Sequence, residues 1–329
     1  MTCSSPHAPR VCWMGRGIGV AALALAALSL SFSSGRTGAT GIVFAAQSGD
    51  EALAPTRTSP PAPKPPSIAA PRKSSPTQGS ESRLNIRSRI ALVEDAYTSE
   101  ELLVKNADRV VPIASITKLM TAMVALDAKS PLGEKLKISD DDRDLVMGTI
   151  SRLQIGWTLS REDMLHLALM SSENRAAAAL SRYYPGGRPA FIDAMNAKAA
   201  ELGMTRTHFV NPNGLTNENV STAFDLAKLL RAADQYPLIR EFTTDPRHDV
   251  QIGRYILMYI NSNRLVGRPD WDIEVQKTGF TNEAGRCVVM KVKAQGRSLI
   301  MVFLDADGRL TRFADARRFL MQLAVLQKK

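Results

Sequence analysis

The sequence predicts a mixed fold of the α/β class, of the α+β kind: one antiparallel sheet flanked by helices, with a helical lobe inserted between its strands. Two observations predict it. Strand-like runs occur near residue 90 and three more in the last hundred residues, while the strongly periodic segments between them have helical spacing. Sequence neighbours at both ends of the body therefore meet in one sheet, and the middle, about residues 129–235, forms the helical lobe.

The chain has 329 residues, 44% hydrophobic and 22% charged, which suits a globular protein of one large or two modest domains. Residues 1–46 read as an export signal. Arg10 and Arg16 precede an apolar run from Gly17 to Phe32, and small residues at Val43 and Ala45 offer a cleavage site before Ala46. The run is short against the roughly 20 apolar residues that span a bilayer, so cleavage and a periplasmic location are expected, with retention as an anchor the alternative. Residues 47–83 contain eight prolines and almost no large apolar side chains, the composition of an extended tether. Such a tether leaves room for loose association with a membrane or wall.

Residues 84–329 form the body of the chain. Ile90, Leu92 and Glu94 alternate with Ala91, Val93 and Asp95, and Leu102 to Val104 follows, which predicts a hairpin. Ile116, Leu119, Met120, Met123, Val124 and Leu126 recur at helical spacing. Ser160, with Asp163 three residues on, announces the apolar helix Met164 to Met170. Asn174 to Leu180, Ala190 to Leu202 and Ala223 to Ala233 are further helical stretches. Ile273 to Lys277, Arg286 to Val292 and Ser298 to Leu304 are strands, with turns at Gly279 to Gly285 and Gln295-Gly296, and Arg312 to Gln327 closes the chain as an amphipathic helix.

The net charge of +10 does not point to nucleic acid, because residues 1–83 alone hold eight Lys/Arg against three Asp/Glu, and aromatic residues are only 6%. Cys287 stands alone in the body and reads as a buried strand residue. His166, His208 and His248 have no metal-ligand spacing; no metal or cofactor is implied, and His166 reads as a core histidine.

Three short segments carry chemistry. Ser115-Ile116-Thr117-Lys118 puts a hydroxyl and an amine on one helical face, where a lysine of lowered pKa can take the serine proton. Ser172-Glu173-Asn174, just past the apolar helix, supplies a second hydroxyl and an amide that can reach both the lysine and a substrate carbonyl. Lys277-Thr278-Gly279, at a strand end, offers a cation and a hydroxyl for a carboxylate, with glycine allowing close backbone approach. Taken singly, each has a plain structural reading: a capped helix with an exposed lysine, a polar helix junction, a strand end before a turn.

In this order the three elements resemble those of active-site-serine penicillin-binding proteins and class A β-lactamases. From about Ile86 onward the chain resembles the low-molecular-mass penicillin-binding proteins, serine D,D-peptidases of the D-alanyl-D-alanine carboxypeptidase superfamily, and most closely their D-alanyl-D-alanine endopeptidase branch. The segments Pro112 to Ala122, Leu169 to Ala177, Asn211-Pro212-Asn213-Gly214-Leu215 with Ser221-Thr222-Ala223, and Lys277 to Gly285 carry the resemblance. It implies the serine β-lactamase/D,D-peptidase fold, with Ser115 as nucleophile, Lys118 as its base and Ser172 as proton relay. It further implies that Asn174 positions the acyl side, that Lys277, Thr278 and Gly279 receive the substrate carboxylate, and that the backbone N–H groups of Ser115 and Phe280 form the oxyanion hole. The implied substrates are peptidoglycan cross-links in the cell wall, with consequences for cell shape, and the implied inhibitors are β-lactams.

Two departures from the commoner carboxypeptidases favour the endopeptidase branch. Glu173 stands where glycine is usual, and the chain stops after one terminal helix, which is expected to pack on the body rather than anchor it. Carboxypeptidase activity is the nearest alternative. A class A β-lactamase would need a deacylating glutamate, for which Glu218 is the nearest candidate, and a non-catalytic penicillin-sensing module is a further rival.

Overall fold

The computed structural model describes residues 84–145 and 147–326; the export signal and the tether lie outside these residues. Ile90–Asp95 (β1) and Glu101–Lys105 (β2) form the first hairpin. After the short strand Val111–Pro112 (β3) comes one 3₁₀ turn, Ala114–Ile116, and then helix Thr117–Asp127 (α1). A small ribbon of Lys135–Lys137 (β4) and Thr158–Ser160 (β5) leads into three helices, Arg161–Met170 (α2), Asn174–Arg182 (α3) and Gly187–Glu201 (α4). Val220–Ser221 (β6) pairs with β3, and helices Ala223–Ala233 (α5) and Pro237–Thr244 (α6) follow. A second hairpin, Arg247–Ile252 (β7) with Tyr255–Ile260 (β8), precedes the long strands Asp272–Thr281 (β9), Gly285–Ala294 (β10) and Arg297–Ala306 (β11). Helix Thr311–Leu326 (α7) comes last.

The main sheet has the order β2-β1-β11-β10-β9, antiparallel throughout, so the first hairpin joins the last three strands as expected. Its two faces explain why the strands read as apolar at nearly every position. Ile90, Leu92, Val289, Val302 and Leu304 face the helical core, while Ala91, Val93, Val288, Met301 and Phe303 face Phe313, Ala316 and Phe319 of α7. Successive side chains point to opposite faces, and here both faces are covered. Deleting the fully buried Phe303 ring would cost roughly 3–5 kcal/mol. The closing helix thus spends its apolar stripe on the sheet.

Helix α2 is buried along most of its length, from Met164 to Met170, which is why its apolar run is unbroken. The Ser160 hydroxyl accepts the Asp163 N–H at 3.0 Å, capping its first turn. His166 is buried within it, stacked between Phe242 and His248, and burial pulls its pKa down to about 4. Cys287 is fully buried in β10, where burial pushes the thiol up to about 12 and leaves it unreactive.

Two expectations need correction. Ser115 does not lie in a helix but in the 3₁₀ turn that precedes α1, because Ala114 takes a left-handed backbone with φ of +49°. Strand β9 does not end at Lys277. It runs to Thr281, so Lys277, Thr278, Gly279 and Phe280 lie inside an extended strand, and the turn shrinks to Asn282–Ala284. The segment between α5 and β9, whose sequence shows no regular apolar period, folds into α6 and the β7–β8 hairpin.

Candidate active site

The site begins with a strained turn. Ala114 at positive φ reverses the chain so that Ser115 sits at the mouth of α1, and such a backbone persists only where its surroundings hold it. Here a loop holds it. Thr117 Oγ1 donates to the Ala114 carbonyl at 2.8 Å and accepts from Asn219 Nδ2 at 3.1 Å, while Thr121 Oγ1 donates to the Pro212 carbonyl at 2.6 Å. Gly214, at φ of +78°, passes so close that a Cβ there would stand 2.0 Å from the Ala114 carbonyl oxygen. Only glycine fits.

Lys118 is the centre of the arrangement. Its side chain is fully buried, and Nζ donates to Ser115 Oγ at 2.8 Å, Asn174 Oδ1 at 2.8 Å and the Asn213 carbonyl at 2.7 Å. Those three partners use all three protons of an ammonium. Burial nevertheless dominates and brings the pKa down to about 7, with the negative charges of Glu173 and Asp144 opposing the fall. A lysine so placed is free amine in about half the molecules at neutral pH, within reach of the serine proton.

The second element follows α2. Ser172 has φ of +66°, a tight reversal just ahead of Asn174, whose side chain reaches Lys118. Asn174 opens α3, gives its oxygen to Lys118 and donates Nδ2 to Thr149 Oγ1 at 3.0 Å. Glu173 is buried and caps α3: its Oε1 accepts the Arg175 N–H at 3.2 Å and the Ser151 hydroxyl at 2.6 Å. The glutamate therefore anchors the loop carrying Thr149 and Ser151.

The third element is the outer strand. β9 is the edge of the main sheet, so among the described residues its outward backbone groups have no sixth strand to pair with and can pair with an extended substrate. It lies against the Ser115 turn at Gly279, where a Cβ would stand 3.0 Å from the Ile113 carbonyl and 3.2 Å from the Ser115 nitrogen. Glycine permits the approach that sets the Ser115 and Phe280 amides near one another. Lys277 is fully buried and donates to the Thr278 carbonyl at 3.0 Å; burial, reinforced by the charge of Lys118, holds its pKa well below the ordinary lysine value. The next residue along the strand, Thr278, carries the hydroxyl that can meet a carboxylate. That hydroxyl is hydrogen-bonded to Ser262 Oγ at 2.7 Å.

The structure thus brings together Ser115, Lys118, Asn174 and Gly279 directly, with Ser172, Lys277, Thr278 and Phe280 on the flanking segments. Sequence reasoning gave no role to Asn213, whose carbonyl holds Lys118, nor to Thr149 and Ser262. These are single polar residues in loops, and their partners lie far along the chain. Glu218 is exposed, and its backbone N–H bonds Thr216 within its own turn, so it is not the buried carboxylate a class A β-lactamase would set at the serine.

Comparison with known proteins agrees with this geometry. A family model described as D-alanyl-D-alanine carboxypeptidase, Peptidase S11, matches residues 77–308. The chain is 52% identical over 230 residues to a D-alanyl-D-alanine endopeptidase of Pseudomonas aeruginosa, covering 69% of this chain and 74% of that protein. It is 50% identical over 240 residues to the D-alanyl-D-alanine endopeptidase of Escherichia coli, covering 72% and 77%. Among solved structures, the Streptomyces K15 DD-transpeptidase superposes with a TM-score of 0.67 at 26% identity, over 72% of this chain and 96% of that one. Penicillin-binding protein D2 of Listeria monocytogenes, in its cefotaxime-bound form, does so with a TM-score of 0.65 at 31% identity, over 73% and 97%. A serine bonded to a buried lysine, an edge strand bearing Lys-Thr-Gly and a family match over most of the body lead to one conclusion: the chain belongs to the D-alanyl-D-alanine carboxypeptidase family of serine D,D-peptidases, Peptidase S11.

Proposed function

We propose that this protein is a D-alanyl-D-alanine endopeptidase that cuts D,D cross-links of peptidoglycan through an acyl-enzyme on Ser115. The observation that carries the reading is the Lys118 amine, buried, lowered to a pKa of about 7 and 2.8 Å from Ser115 Oγ. Its free form takes the hydroxyl proton as Oγ attacks the D-alanine carbonyl. The developing oxyanion is received by the Ser115 and Phe280 N–H groups. As the tetrahedral intermediate collapses, the proton passes from Lys118 through Ser172 to the leaving amine. Water then hydrolyses the ester, with Lys118 again as base.

The carboxylate beside the scissile nitrogen is received by Thr278. Lys277 is fully buried, and burial together with the charge of Lys118 disfavours its protonated form. A substrate carboxylate beside these amines would favour their charged forms, which is the physical reason for selecting a carboxylate. β-Lactams present a similar carbonyl and carboxylate and acylate the same serine. The endopeptidase names of the two most identical relatives above support cross-links as the substrate. Carboxypeptidase action is the second reading, supported by the family description, because a terminal D-alanine offers the same carboxylate.

Digestion of purified cross-linked muropeptide dimers and of pentapeptide, with mass analysis of both product sets, tests the reading. Dimers should be cut faster than D-alanine is released. Rapid release with dimers left intact would sink the endopeptidase reading. The N-terminal segment supports export to the periplasm, where the tether would let the enzyme reach wall polymer and influence cell shape. Sequencing of the exported protein should find a start near Ala46.

A further inference from the structure

Beside Ser172 lies a cavity of about 280 Å³ that the reaction above does not use. Ser172, Asn174, Glu173, Arg152, Tyr259 and Ile260 are in its wall. Its position follows from its neighbours. One wall carries Ser172, which hands a proton to the leaving amine. Another part of the wall is the end of β8, two residues before Ser262, whose hydroxyl bonds that of Thr278. The cavity therefore extends the cleft on the side of the departing amine, past the group that receives the carboxylate.

Its chemistry is unbalanced. The Arg152 guanidinium is exposed, stacks 4.4 Å above the Tyr259 ring and donates to the Met258 carbonyl at 2.6 Å. Among the described residues it takes part in no ion pair of 4 Å or less. A carbonyl and a ring face fix the cation in place without neutralising it. Tyr259 is buried, and its hydroxyl has no hydrogen-bond partner among the described residues. An unpaired buried hydroxyl costs free energy until something bonds it. The one carboxylate in the wall, Glu173, is already engaged by Ser151 and the Arg175 N–H.

We propose that this cavity is the subsite for the amine-donating stem peptide, and that Arg152, with Tyr259 beneath it, binds a second carboxylate on that stem. The proposal rests on the endopeptidase reading and deepens it. In a cross-link the departing amine belongs to a whole peptide, which carries a carboxylate at the diamino acid and others further along. A pentapeptide sheds a single D-alanine, whose one carboxylate is spent on Thr278. The subsite thus gives the enzyme a reason to hold a cross-linked dimer that it does not have for a free pentapeptide.

The test uses two cephalosporins that differ only in a non-departing group at C3, a carboxyvinyl arm or its carboxamide. In a cephalosporin the ring nitrogen is the leaving amine, so this arm projects to the same side. Acylation is followed by intact-protein mass spectrometry, and the ratio of the two second-order rates is taken within each variant, which cancels any general change in reactivity. The wild-type protein should favour the carboxylate roughly three- to tenfold, as suits a solvent-touching charged hydrogen bond. Arg152→Gln should bring the ratio to about one, and Tyr259→Phe should lower it in part. The same ratios should hold for dimers with free or amidated carboxylates on the amine-donating stem. A wild-type ratio near one, or a preference retained in Arg152→Gln, overturns the subsite. If dimers are not cut while acylation proceeds, the endopeptidase reading fails, and the cephalosporin ratio still decides the subsite.

Discussion

Gly214→Ala should damage this enzyme more than any other glycine substitution of the same size, because it strikes the turn that presents the nucleophile. Gly214 has φ of +78°, which costs an L-residue roughly 1–2 kcal/mol. The added Cβ would stand 2.0 Å from the Ala114 carbonyl oxygen, 2.4 Å from its carbon and 2.9 Å from Thr117 Oγ1. None of these is the far end of a flexible side chain, so the backbone must move, at a further cost of roughly 1–3 kcal/mol. Gly203 is the control: its φ is +67° but nothing lies within 4 Å of the Cβ position. Gly203→Ala should carry the backbone cost alone. For a domain of this size about 1 kcal/mol shifts Tm by about 2–4 °C. The expected losses are therefore roughly 2–8 °C for Gly203→Ala and roughly 4–20 °C for Gly214→Ala. The second variant should also acylate with penicillin at least about tenfold more slowly, since the moving loop carries the Asn213 carbonyl that holds Lys118 at 2.7 Å. Calorimetry and stopped-flow acylation decide it. Equal melting losses in the two variants, with wild-type acylation in Gly214→Ala, would refute the close approach as the organiser of the turn.

Acylation should rise with pH through about 7 and then level off, because deprotonation creates the base form of Lys118; below that point the rate should fall about tenfold per unit. Glu173→Gln removes a charge that opposes the lowering, so its acid limb should move to lower pH, and a shift to higher pH would contradict the assigned electrostatics. Ser262→Ala frees the Thr278 hydroxyl from its 2.7 Å partner and should cut penicillin acylation efficiency roughly three- to tenfold, with Tm little changed. Ser115→Ala should abolish the covalent penicillin adduct seen by intact-protein mass spectrometry; an adduct retained there but lost in Ser172→Ala would reassign the nucleophile.

The strands and helices were legible where burial follows a regular period. β1, α1 and α5 repeat their apolar residues as the pattern predicts, and the three chemical segments declare themselves through residue types that have few other uses together. The β7–β8 hairpin was not legible, because Ile256, Met258 and Ile260 are exposed while the alternate Tyr259 is buried, which erases the contrast that a period-two pattern needs. Gly279 misled for a different reason. In sequence it reads as a strand end, whereas in space it lets β9 continue past the Ser115 turn without a collision. Nor could a local pattern announce that Ala114 adopts positive φ, since that conformation is held by Thr117 and by the loop around Gly214, about a hundred residues away.

Glu173 shows how one unusual residue can couple these parts. In the position where glycine is common, it brings a carboxylate close enough to Lys118 to oppose the fall in its pKa, a cost to the base that the reaction needs. The same carboxylate caps α3, which orients Asn174, and takes the Ser151 hydroxyl, which fixes the loop on which Thr149 and Arg152 stand. Thr149 in turn receives the Asn174 amide, so the loop and the catalytic amide hold each other in place. Glycine could not make either bond through its side chain, and the loop bordering the leaving-group side would lose its tie to the catalytic floor. A mild penalty on the base is thus offset by a rigid wall, and a wall on that side matters most to an enzyme whose departing group is a peptide rather than one amino acid.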